Sequence, residues 1–161
     1  QGAPGTVVCS GDDPGANCPC GNTPSAGSHS GCRNSTNFGA TLRASGTASV
    51  ANDDLALTSA GLPVNKAGLV LVGPNASGGL PFHAGLLCLA PPVRRLQGAN
   101  SGAGGSFAHG PGLGAYAATH FAEPWRIAVG TQWIFQSWFR DTSGPCGAAN
   151  TSNALAVTFV P

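Results

Sequence analysis

The chain has 161 residues, with seven Lys plus Arg against six Asp plus Glu and a formal net charge of +1. That balance offers no basic field for nucleic acid and no acidic one for cationic substrates. No stretch approaches the roughly 18 consecutive apolar residues of a membrane-spanning helix, and the length suits one domain.

Six cysteines, Cys9, Cys18, Cys20, Cys32, Cys88 and Cys146, form an even set without a Cys-x-x-Cys pair. The nearest histidine, His29, stands alone in a Ser/Gly stretch. The reading is therefore three disulfides made in an oxidising compartment rather than a metal site. The chain holds no methionine and one lysine, Lys66. The absence of methionine fits a trimmed mature chain that begins at Gln1 after loss of a signal peptide. A secreted or cell-surface location follows, with an exterior built from Ser, Thr, Asn, Gly and Ala.

Residues 1–40 read as a disulfide-stapled N-terminal arm and loops, and residues 41–161 as a β-sandwich on which they pack. Residues 1–8 form a loose arm. Residues 9–32 carry four cysteines among Gly, Pro, Asn, Asp and Ser, with little apolar surface to bury, so cross-links must hold them. Cys18 and Cys20 are too close across Pro19 to bond easily with each other. Each pairs outward, giving two bridges among Cys9, Cys18, Cys20 and Cys32 whose assignment stays open. By elimination Cys88 pairs with Cys146.

Short strands with turn punctuation follow. Thr41–Val50 and Leu55–Ser59 flank Asn52-Asp53-Asp54, a hairpin connection. Gly68–Val72, Leu86–Leu89 and Val93–Gln97 come next, the last two separated by Pro91-Pro92. Gly98–Gly105 is a flexible loop. Phe107 and Tyr116 mark weaker strands, and Trp125–Val129 precedes the most strand-like stretch, Gln132–Asp141. There Trp133, Phe135, Ser137 and Phe139 share one face, and Ile134, Gln136, Trp138 and Arg140 the other. Aromatics on both faces predict a central strand covered on both sides. Ala154–Val160 alternates, with Leu155, Val157 and Phe159 on one face. Seven to nine such strands, with no convincing amphipathic helix, define an all-β sandwich.

Taken together, Cys18-Pro-Cys-Gly-Asn22 with Gly31-Cys-Arg-Asn-Ser35, Gly85-Leu-Leu-Cys88, and Gln136-Ser-Trp-Phe-Arg-Asp141 ahead of Cys146 form a recognisable combination. It resembles a family of secreted domains numerous in planctomycete-type bacteria, found singly or at the ends of large extracellular proteins. The resemblance spans residues 9–160, except that the loops of residues 98–128 are individual to this chain. It implies extracellular β-structure and no catalytic residues.

Four sets of residues are candidate sites. Asp12, Asp13, Asn17 and Asn22 crowd a Gly/Pro loop and could supply oxygens to Ca²⁺, the one cofactor the sequence suggests, although Asp and Asn also serve ordinary turns. Trp125 and Tyr116 could stack on a sugar, whereas Trp133 and Trp138, on opposite faces of one strand, read as core. Asn34, Asn75 and Asn150 begin Asn-x-Ser/Thr tripeptides in predicted loops, where glycan acceptors would lie. The histidines His29, His83, His109 and His120 lack a zinc spacing. Glu123 is the only glutamate, and no Gly-x-Ser-x-Gly turn occurs, so no catalytic set is read. The functional expectation is a non-catalytic structural module that assembles with copies of itself into a fibre, coat or surface layer. Donor strands would come from Gln1–Val8 or Ala154–Pro161. A carbohydrate-binding module and a calcium-stabilised adhesion domain are the alternatives.

Overall fold

A computed structural model describes residues 2–161. Its centre is β10 (Gln132–Arg140), which lies between β11 (Ala149–Thr158) and β4 (Ala67–Gly73), antiparallel to both. β1 (Thr6–Cys9) extends this sheet beyond β11, while β7 (Arg94–Arg95) and β8 (Ala99–Asn100) each pair with β4 at the other side. A second sheet holds β2 (Thr41–Ser45), β3 (Ala56–Ala60) and β9 (Phe107–His109). β5 (Asn75–Phe82) and β6 (Gly85–Ala90) form a separate hairpin. The protein is thus mostly β-structure, in open sheets.

Side-chain alternation along β10 distributes two cores. Trp133, Phe135 and Phe139 point to one face, where Val70, Val72, Leu155 and Val157 meet Leu42, Leu57 and Phe107 of the second sheet. Ile134 points to the other, where Leu71 and Ala154 meet Leu86, Cys88 and Leu89 of the hairpin. Coverage of β10 on both faces agrees with the aromatic pattern of its sequence.

The register between β10 and β11 slips once. Gln136 faces Ala154 and Trp138 faces Thr151, so β11 carries one extra residue at Ser152–Asn153, a β-bulge. Asn153 reaches β2 there: the Leu42 N–H donates to its Oδ1 (2.8 Å) and its Nδ2 donates to the Leu42 carbonyl (3.1 Å). Gln136 does the same for β6. It accepts from the Cys88 N–H (2.9 Å) and donates to the carbonyls of Leu86 and Ser152 (both 2.8 Å). Each buried amide pairs with strand backbone as a neighbouring strand would, which satisfies groups that would otherwise be buried without partners.

Three disulfides are present, and their pairing corrects the one expected. Cys9 bonds Cys88, Cys18 bonds Cys32, and Cys20 bonds Cys146. Elimination failed because residues 6–9 are a paired strand, not a loose arm. As the sheet's edge strand, β1 delivers Cys9 to the core of the second face, beside Cys88. Cys18 is buried against Cys32, while Cys20, two residues on, faces outward to the loop after β10. Residues 10–40 are otherwise held by isolated backbone bonds such as Gly11 N to Ser30 O (2.7 Å) and Gly31 N to Ala40 O (2.9 Å). Gly31 lies so close to β11 that a Cβ there would overlap the Thr151 carbonyl.

Four further expectations change. Tyr116 belongs to a helix, α1 (Leu113–His120), instead of a weak strand. Trp125–Val129 forms no strand, and β5 arises where none was read. Of the candidate donor strand Ala154–Pro161, residues 154–158 lie in β11, between β1 and β10 in the main sheet. Gln1 lies outside the described residues.

Candidate functional site

The first candidate surface surrounds α1. The helix begins after Gly112, whose residue type provides no side-chain cap. Its free N–H groups are met from elsewhere: Gly114 N and Ala115 N donate to the Asp53 carboxylate at 2.7 and 3.0 Å. A carboxylate at a helix N-terminus satisfies orphan donors and complements the dipole. Leu113 and Ala117 are buried, so the helix sits as a lid on the first core. Tyr116 stacks on His120 (centroids 3.9 Å, interplanar angle 10°) and meets Phe121 edge-on. Trp125 stacks on Trp133 (5.2 Å, 22°), and the Arg94 guanidinium lies 4.7 Å from its ring centroid. Trp125 and Tyr116 are both half-buried, each with one face taken by a protein group and part of the ring packed against the core, and Trp125 still lines an open pocket with Arg94, His120 and Phe121. Glu123 makes an exposed ion pair with Arg126 at 3.8 Å.

The second surface is a cup of about 240 Å³ on the opposite side of the main sheet. Its floor is Leu69 and Leu71 of β4, with Trp138 of β10 and Arg95 of β7 beside them. Phe82 and His83 at the tip of the β5–β6 hairpin form the wall. Trp138 is half-buried here, unlike Trp133, which the first core encloses. The Arg140 guanidinium lies 5.5 Å from the Trp138 centroid, and Phe82 and His83 meet edge-to-face at 4.7 Å. His83 holds a φ of 53°, a value that non-glycine residues seldom adopt. Sequence alternation placed Trp138 and Arg140 on one face, but gave no sign that a glycine-rich hairpin would wall them in.

The third is a groove of about 350 Å³ between β1 and β2, lined in part by Pro4, Val7, His29, Leu42, Arg43 and Leu155. β1 pairs only with β11, and β2 pairs only with β3; the Asn153 amide bonds Leu42 across the gap. Val7 and Val8 are 37% and 40% exposed, both high for valine on a strand.

The calcium candidates separate. Asp12 and Asp13 turn onto Ser10: its N–H donates to Asp13 (2.7 Å) and its hydroxyl lies 2.8 Å from an oxygen of each carboxylate. Partial burial works against the Asp12 charge, but hydrogen bonds from Ser10 and the His29 N–H outweigh it, and its pKa is lowered. Asn22 is buried elsewhere, accepting from Cys20 N and donating to the carbonyls of Arg33 and Ala84. Asn17 is exposed. Among the described residues no three His, Cys, Asp or Glu side chains cluster as a metal would require.

The glycosylation candidates also divide. Asn34 and Asn150 are buried, and their Nδ2 atoms donate to Gly61 O (2.9 Å) and Arg33 O (3.1 Å). An amide committed in this way is closed to a glycan, so both expectations are corrected. Asn75 is exposed at the start of β5. Asn150 looked like a loop residue because polar side chains are scarce in strands, yet it lies in β11 with its amide satisfied internally.

No protein-family model, no curated protein and no solved structure matches the chain.

Proposed function

We propose that the chain is a secreted, non-catalytic assembly module, a disulfide-braced β-sandwich that joins copies of itself into an extracellular fibre, coat or surface layer. The observation that carries this reading is the edge of β1 beside the groove between β1 and β2, where β1 pairs with β11 on one side alone. Edge strands of monomeric proteins are guarded by charge, above all lysine, because unpaired backbone groups recruit other strands. β1 is Thr-Val-Val-Cys, with two exposed valines and no charge. The only lysine, Lys66, bonds Thr142 far from this edge in sequence. A near-neutral exterior adds little repulsion between copies, and three disulfides suit an oxidising, extracellular compartment. Edge-to-edge pairing of β1 with a second copy would extend the main sheet from molecule to molecule.

Sedimentation velocity over a wide concentration range, with negative-stain imaging, tests this. Val7→Lys places a charge on the edge without entering the core, so it is expected to abolish assembly while moving stability by no more than about 0.5 kcal/mol. A chain that stays monomeric at the highest attainable concentration would remove the proposal.

Glycan binding is the second reading. It is favoured by the cup at Trp138, with its aromatic wall and nearby guanidinium groups.

A further inference from the structure

We infer that the cup between the β5–β6 hairpin tip and the face of β4, β7 and β10 binds one carboxylated sugar ring, a uronic acid residue. The inference rests on the glycan-binding reading and is independent of assembly. A volume of about 240 Å³ is below the range of drug-sized pockets, roughly 300–1,000 Å³, and suits a single six-membered ring. Trp138 and Phe82 supply flat apolar walls, Leu69 and Leu71 the floor, and the lining mixes polar with apolar surface, as a ring bearing hydroxyls requires.

Charge selects the carboxylate. Arg95 lines the cup, and the Arg140 guanidinium lies over Trp138 at 5.5 Å. None of the six acids lines it. Asp141, the nearest acid in sequence, is buried and accepts from Ser35 N at 2.9 Å. In a chain with seven Lys plus Arg, one arginine lining the cup and a second against its Trp138, with no acid in the lining, favour an anionic guest. Guanidinium–carboxylate bonds are among the stronger hydrogen bonds. A phosphate or sulfate ion would use the charge but leave both aromatic walls idle. His83, held at the rim by the hairpin turn, adds a ring nitrogen for a hydroxyl.

The test titrates the intact, disulfide-bonded chain with trigalacturonate, with its methyl ester and with benzoate, following tryptophan fluorescence and calorimetry. Trigalacturonate is expected to bind at least about tenfold more tightly than the ester, the worth of one charge-assisted hydrogen bond. Arg95→Gln, an exposed substitution on a two-residue strand, should erase that difference while the ester still binds. Trp138→Phe should weaken both sugars equally, with melting temperature recorded as the folding control. The same titration on Val7→Lys should be unchanged, which separates this site from assembly. Equal affinity for acid and ester overturns the inference, as does an undiminished difference in Arg95→Gln. Benzoate binding as tightly as the sugar, or no binding of the sugar up to roughly 10 mM, overturns it too.

Discussion

His109 shows how one side chain ties this fold to pH. It ends β9, half-buried beside Phe107 at 6.3 Å, and its Nε2 meets no partner among the described residues. Burial lowers its pKa below the usual 6.5, against a smaller opposing effect from a hydrogen bond with the Gln97 backbone. The folded chain therefore holds the proton less tightly than the unfolded chain. Its contribution is fully present above the unfolded value of 6.5 and is lost as pH falls through that value toward the lowered one. Urea midpoints should drop between about pH 7 and pH 5, and His109→Asn should flatten that part of the profile. An unchanged slope in the variant would show that the loss arises elsewhere. The buried amides of Gln136 and Asn153 are the residue-scale feature least legible in the sequence. Glutamine and asparagine read as surface or turn residues. Only their backbone partners on β6 and β2, far away in sequence, reveal them as cross-links.

At the scale of elements, legibility followed local pattern. β4, β6, β10 and the apolar half of β11 carry alternating or continuous β-branched, leucine and aromatic residues, and all were readable. β5 was not: Asn-Ala-Ser-Gly-Gly-Leu-Pro-Phe contains residues that strands disfavour. It exists because β6 supplies its partner strand, with a bulge between Ala76 and Leu80. α1 was hidden for a related reason. Leu-Gly-Ala-Tyr-Ala-Ala-Thr-His shows little apolar periodicity, and its cap, Asp53, lies 61 residues before the first amide it accepts from. Helices this short are marginal on their own. Asp53→Ala should accordingly cost about 1 kcal/mol and raise hydrogen exchange across 113–120, leaving β10 protected. Uniform deprotection of both would show that α1 opens only with the whole domain. Of the candidate sites, Trp138 was visible only as half of a two-faced strand, and the cup beside it depends on the unread hairpin.

For the whole molecule, the disulfides matter most, because residues 10–40 hold little regular structure. The count of three was readable from composition, but the pairing depended on β1 being an edge strand. On the chain-entropy account, Cys18–Cys32, spanning 14 residues, contributes about 3 kcal/mol, and the bridges spanning 79 and 126 residues somewhat more, about 4–5. They are unequally protected. Cys9, Cys88, Cys18 and Cys32 are buried, whereas Cys20 is half-buried and Cys146 exposed. Exchange needs access to sulfur. Limited reduction followed by alkylation and peptide mapping should therefore label Cys20 and Cys146 first. Early labelling of Cys9 or Cys88 would contradict the placement of β1.

The position of β11 has a consequence for how the molecule is made. Thr6–Cys9 finds its partner strand only in Ala149–Thr158, so β1 must wait for a strand synthesised about 140 residues later. At 5–20 residues per second that is roughly seven to thirty seconds, during which Val7 and Val8 have no place in a sheet. Translation order and spatial order run against each other in this sheet.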